Sequence, residues 1–352
     1  MKISYMLKRE DFYAINEHTL KTVYRNSKKE KRLYIYPELN TIVVARPSKA
    51  VRRYLYTEFR VNGSSLRRLL IRLYVGVLLN SCGILAAKSI KLNTDADENT
   101  LIYPCNKKYR VFDFDKEQVS VVAKDGFPRD GLFNEISFRT QNTADFIPGL
   151  ISCDESGYVE RIIDGLPVAR AGARTDELVD RAFSLWNDYI APHTIIIPAV
   201  DWAMKLQKET ADLLKRVEAM GKMVNTEALQ AVLERLSRVL CSSEDDVPVS
   251  LSHGDLQPGN IWVENGTDKL YIIDWESCAQ RSVWYDRAAL YEGLRREDGL
   301  QRYVRNHSLI HATVLLEDVV YRLAELVSLP YNYGCKEFDA YISVLLGGKE
   351  DV

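Results

Sequence analysis

The segment His253-Gly254-Asp255-Leu256-Gln257-Pro258-Gly259-Asn260, followed by Leu270-Tyr271-Ile272-Ile273-Asp274-Trp275-Glu276, constrains this chain more than any other. It sets an Asp and an Asn five residues apart in one loop, and a second Asp nineteen residues after the first at the end of an apolar run. With residue usage near about 5% per type, four fixed positions of the H-G-D-x-x-x-x-N kind arise by chance in roughly a few chains per thousand of this length. Such a trio can hold a magnesium–nucleotide and place a carboxylate beside an acceptor hydroxyl, which is what phosphoryl transfer asks of a protein.

A chain of 352 residues, 46% hydrophobic and 27% charged, has the make-up of a globular protein with two or three cores. Its six cysteines are scattered, with no C-x-x-C pair and no His at ligand spacing. They read as isolated thiols in a reducing compartment. The first twelve residues carry charges throughout, and no run reaches the roughly 18 apolar residues of a membrane span, so a cytoplasmic location is expected.

Three regions are expected. Residues 1–92 form a basic N-terminal extension: a β-hairpin of Arg32–Tyr36 and Thr41–Ala45, then an amphipathic helix over 64–80. Ser64 or Ser65 would cap that helix, with Leu66, Leu69, Leu70, Leu73 and Val77 along one side. The polar stretch 93–99 reads as a linker. Residues 100–165 are strand-rich, with strands at Thr100–Tyr103, Tyr109–Phe114 and Val119–Lys124, a helix over 129–141 and a strand over 157–163. Residues 166–352 are mostly helical, the clearest helix being Thr226–Leu240, and two short strands near 260–263 and 270–274 carry the motif loop.

In chemical terms, Asp255 would align the acceptor hydroxyl on the γ-phosphorus and take its proton late in the reaction. Taken alone it would read as an Asp bonding backbone amides in a turn; with Asn260 and Asp274 present, catalysis is the reading favoured. Asn260 and Asp274 supply oxygen ligands of the kind magnesium takes together with phosphate oxygens and water. His253 is read as a structural residue that holds Asp255 in place.

The H-G-D-x-x-x-x-N loop followed by I-D-W-E resembles the aminoglycoside phosphotransferase and choline kinase family, small-molecule kinases with a protein-kinase-like fold. Gly254, where protein kinases carry Arg, and Trp275-Glu276 after the second Asp favour this branch. Ser282-Val283-Trp284-Tyr285-Asp286-Arg287-Ala288 is similar to a family segment whose Asp is a structural anchor. The resemblance implies an α+β, two-lobe fold: a small antiparallel β-rich N-lobe, a mostly helical C-lobe and a site between them, with residues 1–92 as an extra N-terminal region. It also implies that Val121-Val122-Ala123-Lys124 is the strand whose Lys124 grips the nucleotide phosphates, with Glu135 as its ion-pair partner. Lys107, Lys108 and Lys116 are rivals of Lys124 but fall in turns in this reading. The stretch from Tyr158 to Pro167 resembles the hinge, where adenine would bond main chain at the Arg161 carbonyl and the Ile163 amide. One departure stands out: no G-x-G-x-x-G covers the phosphates, and Pro104-Cys105-Asn106-Lys107-Lys108 joins two strands instead. Asn106 and nearby amides could bond phosphate there.

The net charge of −2 conceals an imbalance: residues 1–92 hold 19 Lys/Arg against 6 Asp/Glu, and the remainder 28 against 43. Arg52, Arg53, Arg60, Arg67, Arg68 and Arg72 crowd the predicted helix. Three readings compete: docking on the acidic body, peripheral contact with the inner face of an anionic membrane, or nucleic acid. No nucleic-acid motif accompanies the charge. The front region, through Leu33-Tyr34-Ile35-Tyr36-Pro37 and the Arg-rich stretch, is also similar to bacterial phosphotransferase-family proteins of cell-surface glycan synthesis.

The reading is thus an ATP- or GTP- and Mg2+-dependent kinase acting on a small hydroxyl-bearing acceptor such as a sugar or aminosugar. The alternative is a nucleotide-binding pseudokinase serving as scaffold or regulator in a glycan pathway. A protein kinase is disfavoured by Gly254 and by the absence of D-F-G and A-P-E.

Overall fold

The computed structural model describes residues 9–58 and 65–347. The chain forms two compact units, one of residues up to Leu178 with Trp262–Ile273, the other of Val179–Ile261 with the stretch from Asp274 onward.

The first unit is built on one antiparallel sheet. In chain order its elements are α1 (Arg9–Val23), β1 (Glu30–Tyr36), β2 (Thr41–Val43), α2 (Lys49–Glu58), α3 (Ser65–Asn80), β3 (Lys88–Asn93), β4 (Thr100–Pro104), β5 (Lys108–Asp113), β6 (Gln118–Ala123), α4 (Asp130–Gln141), β7 (Leu150–Asp154), β8 (Gly157–Arg161) and β9 (Gly165–Pro167). Eight of these strands pair in the order β3-β1-β2-β4-β5-β6-β8-β7. The expected hairpin is present as β1 and β2, with Tyr34 opposite Val43. Asn40 makes its turn possible by taking a left-handed conformation (φ 48°) that Asn tolerates.

The boundary expected at 92–100 is not a break between separate bodies. β1, β2 and β3 continue the sheet that holds β4, β5 and β6, through the Ile42–Ile102 pairing. The supposed linker is fastened to the strand beside it: the Thr94 amide donates to the Lys29 carbonyl (2.9 Å), and Lys31 Nζ donates to the Ala96 carbonyl (2.6 Å). A polar stretch reads as linker in sequence because cross-strand partners 65 residues away leave no local trace.

One face of this sheet carries Leu101, Phe112, Val119, Val121 and Tyr158, and against it pack Val51 and Leu55 of α2, Val75 and Leu79 of α3 and Leu132 of α4. Each such side chain contributes about 1.5–3 kcal/mol by leaving water. The side of α3 expected to pack is not the one that does. Val75, Leu78 and Leu79 are buried, whereas Leu66, Leu69, Leu70, Leu73 and Val77 are exposed. From Leu69 to Leu79 every residue but Arg72 and Gly76 is apolar, so periodicity alone offers more than one candidate stripe. Ser64 and Arg60 lie outside the described residues.

The second unit is mostly helical. Its elements are α5 (Thr175–Ile190), which begins in the first unit, β10 (Ile195–Pro198), α6 (Ala199–Ala219), α7 (Thr226–Cys241) and β11 (Asp246–Ser252). The chain then runs through β12 (Ile261–Glu264) and β13 (Leu270–Ile272), which pair with β9 in a small sheet belonging chiefly to the first unit. It returns with β14 (Ala279–Ser282), α8 (Trp284–Leu290), α9 (Glu297–Val304), α10 (Leu309–Val327) and α11 (Cys335–Gly347). Helix α7 is the one expected: Asn225 caps it by accepting the Ala228 amide (2.9 Å), and Leu229, Val232, Leu233, Leu236 and Leu240 are buried. The core gathers these with Trp202 and Leu206 of α6 and Leu315, Val319 and Leu323 of α10. An antiparallel β unit and a mostly helical unit are the α+β make-up expected. Among the described residues no helix is long and apolar enough to cross a membrane.

Candidate active site

The motif loop leaves the end of β11 and is held from below by one residue of α8. Asp286 is buried, and its Oδ1 accepts the Ser252 hydroxyl (3.0 Å) and the Gly254 amide (3.1 Å). Its Oδ2 accepts the His253 amide (2.9 Å) and the Trp186 indole N–H (2.9 Å). Four donors on one carboxylate make a stiff clamp, since charge-assisted bonds are the strong ones. Gly254 fits because it has no side chain: its φ is +82°, and a Cβ there would lie 2.2 Å from the Ser277 carbonyl oxygen. The Arg that protein kinases carry has no room at this position.

Beyond the clamp the loop organises itself. His253 is fully buried, its Nδ1 accepts the Asp255 amide (3.3 Å), and its ring packs on Trp275 with centroids 4.5 Å apart. Asn260 Nδ2 donates to both the Asp255 carbonyl (2.9 Å) and Asp255 Oδ2 (3.2 Å). Gln257 donates to the same carboxylate oxygen (3.0 Å). Burial pushes the Asp255 carboxyl above its ordinary value; Arg295 opposes the shift and the Asp274 carboxylate adds to it. The two carboxylates therefore sense each other. Asp274 sits at φ 72°, a left-handed conformation that turns the chain out of Ile273 into a short 3-10 turn anchored by buried Trp275.

Asp274 and Asn260 suit a magnesium ion by the chemistry of their donors. The amide nitrogen of Asn260 is committed to Asp255, which leaves its Oδ1 as the oxygen for a ligand. Among the described residues no cluster of three or more His, Cys, Asp or Glu is placed to hold a metal. Two protein oxygens completed by phosphate oxygens and water are what magnesium takes at nucleotide sites, so a closed cage is not needed.

In the first unit the expected Lys124–Glu135 pair is absent. Glu135 is fully buried on α4 and pairs with Lys108 Nζ (2.9 Å); it also accepts the Tyr158 hydroxyl (2.9 Å) and faces Arg139 Nη1 (3.4 Å). Arg139 in turn reaches Glu160 (2.7 Å). Strand alternation explains the exchange. Lys108 lies directly opposite Ala123, Arg110 opposite Val121 and Phe112 opposite Val119, so these side chains share a face with Glu135. Lys124 is one residue past Ala123 and points the other way. Its ammonium is buried over the Tyr109 ring (5.2 Å to the centroid), and burial pulls its pKa down to about 8. β6 ends at Ala123, one residue short of the strand end expected at Lys124, and the lysine that meets Glu135 is Lys108.

The remaining expected positions are also located. Asn106 is exposed in the turn between β4 and β5, which closes with the Cys105 amide donating to the Lys108 carbonyl (2.9 Å). Arg161 ends β8 with its side chain in solvent, and the Ile162 amide is spent on the Glu117 carbonyl (2.9 Å). Arg161 and Ile163 border two cavities of the first unit. One is a slot of about 40 Å³ between Tyr54, Phe112, Val119, Trp262 and Ile273; the other, of about 750 Å³, lies beside Arg53, Tyr54, Trp262 and Tyr271.

Sequence reasoning missed Arg295. Its Nη2 donates to the Gly254 carbonyl (2.8 Å) and the Tyr285 hydroxyl (2.8 Å), its Nη1 meets buried Asp318 (3.5 Å), and its guanidinium stacks on Tyr321 (3.6 Å). Asp318 is drawn up by burial but held below its ordinary value by Arg322 and Arg295. Its neighbour Glu317, bonded by the Trp202 indole and by both the amide and hydroxyl of Ser282, is pushed by burial up to about 7. An Arg forty residues after Asp255 carries no spacing signal.

Residues 187–292 match the choline/ethanolamine kinase family. The matched stretch takes in the motif loop, Asp274 and Asp286, and the likeness to choline/ethanolamine kinases rests there. Among solved structures it is similar to an ethanolamine kinase of Plasmodium vivax, at 13% identity over 85% of this chain and 94% of that one, with a TM-score of 0.45. It is also similar to a choline kinase of Cryptosporidium parvum (10%, 72% and 90%, 0.44) and to ADP-bound aminoglycoside phosphotransferase APH(2'')-Ib (14%, 70% and 90%, 0.43). No curated protein matches the sequence.

Proposed function

We propose that this protein transfers the γ-phosphoryl group of ATP or GTP to a hydroxyl of a small acceptor of the sugar or aminosugar class. The observation that carries the reading is the motif loop itself: Asp255, bonded by Asn260 and Gln257, on a backbone clamped by Asp286. The acceptor oxygen attacks the γ-phosphorus, the bond from phosphorus to the β-phosphate bridging oxygen breaks, and the nucleoside diphosphate leaves. The acceptor proton passes to Asp255 Oδ. A carboxyl whose pKa is raised by burial is better placed to take that proton than a fully solvated one. Asn260 Oδ1 and Asp274 would hold magnesium, which when bound neutralises charge on the phosphates. Lys108, oriented by Glu135, takes the phosphate-gripping role expected of Lys124. Arg161 and Ile163 offer main chain to the base, and Asn106 lies in the turn nearest Lys108 in sequence. The acidic balance of residues 93–352 favours a cationic acceptor.

One observation favours the scaffold reading. Tyr54 of α2 packs on Phe112 (4.7 Å) and Phe114 (5.6 Å) beside the hinge, and the slot left there is about 40 Å³, whereas ligand pockets run to roughly 300–1,000 Å³. The adjoining 750 Å³ cavity is large enough for a nucleotide base. An ADP-release assay over sugars, aminoglycosides and amino alcohols separates the two. Turnover that Asp255→Asn abolishes supports the kinase. Nucleotide binding without turnover on any acceptor, tightened by Tyr54→Ala, supports the scaffold.

A further inference from the structure

Helix α3 buries Val75, Leu78 and Leu79 and leaves a row of large apolar side chains in solvent. Leu66, Leu69, Leu70 and Leu73 are 66%, 54%, 56% and 57% exposed, and Val77 60%. Their spacing of three and four residues lines them up on one side of the helix. Tyr74 flanks the row, and Ile84 and Leu85 in the turn that follows are exposed as well. A single exposed leucine is ordinary, but a contiguous row on one helix marks a contact surface. The row sits on a firm base. Arg52 of α2 donates to Asn80 at the end of α3 (2.9 Å), and Gly76 lies so close to Tyr56 that a Cβ there would be 3.1 Å from its hydroxyl.

Charge decides the kind of partner. Between Glu58 and Asp95 the chain carries six Lys/Arg and no Asp/Glu, and Arg72 is exposed on the same helix as the leucine row. A second copy docked through the same row would bring two basic clusters together and be repelled. An anionic bilayer satisfies both features: leucines enter the boundary between headgroups and acyl chains, and guanidinium groups meet lipid phosphates. We propose that this side of α3 seats the protein on an anionic membrane surface, lying on the bilayer rather than crossing it. The proposal is independent of whether the motif loop catalyses.

Flotation of the full chain with phosphatidylcholine vesicles, with and without phosphatidylglycerol, tests it. The protein is expected to float with the phosphatidylglycerol vesicles only and to be released by high salt. The triple variant Leu69→Ser, Leu73→Ser, Val77→Ser changes exposed positions, so it should melt as the parent does while its bound fraction falls by at least about tenfold. Arg72→Glu should weaken binding without touching the leucines. A parent protein that stays with the soluble fraction at low salt overturns the proposal, and so does a triple variant that floats as well as the parent. A dimer by light scattering that the triple variant dissolves would give the row to a second copy instead, and overturn it too.

Discussion

The motif loop of the second unit and the lysine–glutamate pair of the first are built in opposite ways. The loop is contiguous: Asp255, Asn260 and their bonding partners lie within eight residues, and a single carboxylate, Asp286, fixes the backbone beneath them. The pair is assembled across a hairpin and a helix, with Lys108 and Glu135 27 residues apart and brought together by strand pairing. A contiguous site is specified by local chain geometry, whereas a cross-strand site is specified by register, where a slip of one residue turns a side chain to the opposite face.

Breaking the loop should have the largest effect. Asp255→Asn keeps the size and most bonds of the side chain but removes the proton acceptor, so kcat is expected to fall by about 10²–10⁴-fold, read as ADP release at saturating acceptor. Two lysines on opposite faces of the sheet separate register from composition. Lys108→Ala should weaken nucleotide binding by about tenfold or more in calorimetry, since a charged hydrogen bond contributes roughly 1.5–3 kcal/mol. Lys124→Met should leave that affinity unchanged and raise stability by on the order of 2 kcal/mol at neutral pH, because burial holds the lysine near 8. The sign follows from proton binding: below about 8 the folded state bears the full cost of the buried charge, and parent stability rises as pH climbs from there toward the ordinary lysine value of 10.5. The methionine variant should lack that rise. If Lys124→Met abolishes nucleotide binding instead, the assignment of Lys108 fails.

A smaller effect should come from Arg295→Met. Removing the charge that opposes burial lets the Asp255 carboxyl rise further, so the acid limb of kcat/KM should move to higher pH. A lower rate with no movement of that limb would reduce Arg295 to packing. The smallest effect is on stability alone. Glu317 titrates near 7 in the folded chain against an ordinary 4.5, so the folded state holds the extra proton and parent stability falls as pH rises through that window. Glu317→Gln should flatten the slope of Tm over the same range.

Much of this was legible in the sequence because it is local. The motif loop, the helix of 226–240 and the strands of 100–123 show themselves through spacing, capping and apolar period. What was not legible depends on partners distant in sequence, Arg295 with the Gly254 carbonyl among them. The register that chose Lys108 over Lys124 was hidden because Lys124 closes an apolar run and Lys108 seems to belong to a turn. The sheet that absorbs residues 30–93 was hidden because its junction, Ile42 with Ile102, spans sixty residues. The leucine row of α3 was visible, but which of its apolar stripes meets the core is decided by neighbouring surfaces.

The clamp at Asp286 also bears on how the molecule matures. His253 and Gly254 emerge from the ribosome some thirty residues before the carboxylate that receives their amides. Their strand can be made while the turn beyond it still lacks its fixed shape. The fixed shape of the loop should therefore be acquired only when α8 docks, so that a nascent chain ending short of that helix would lack it.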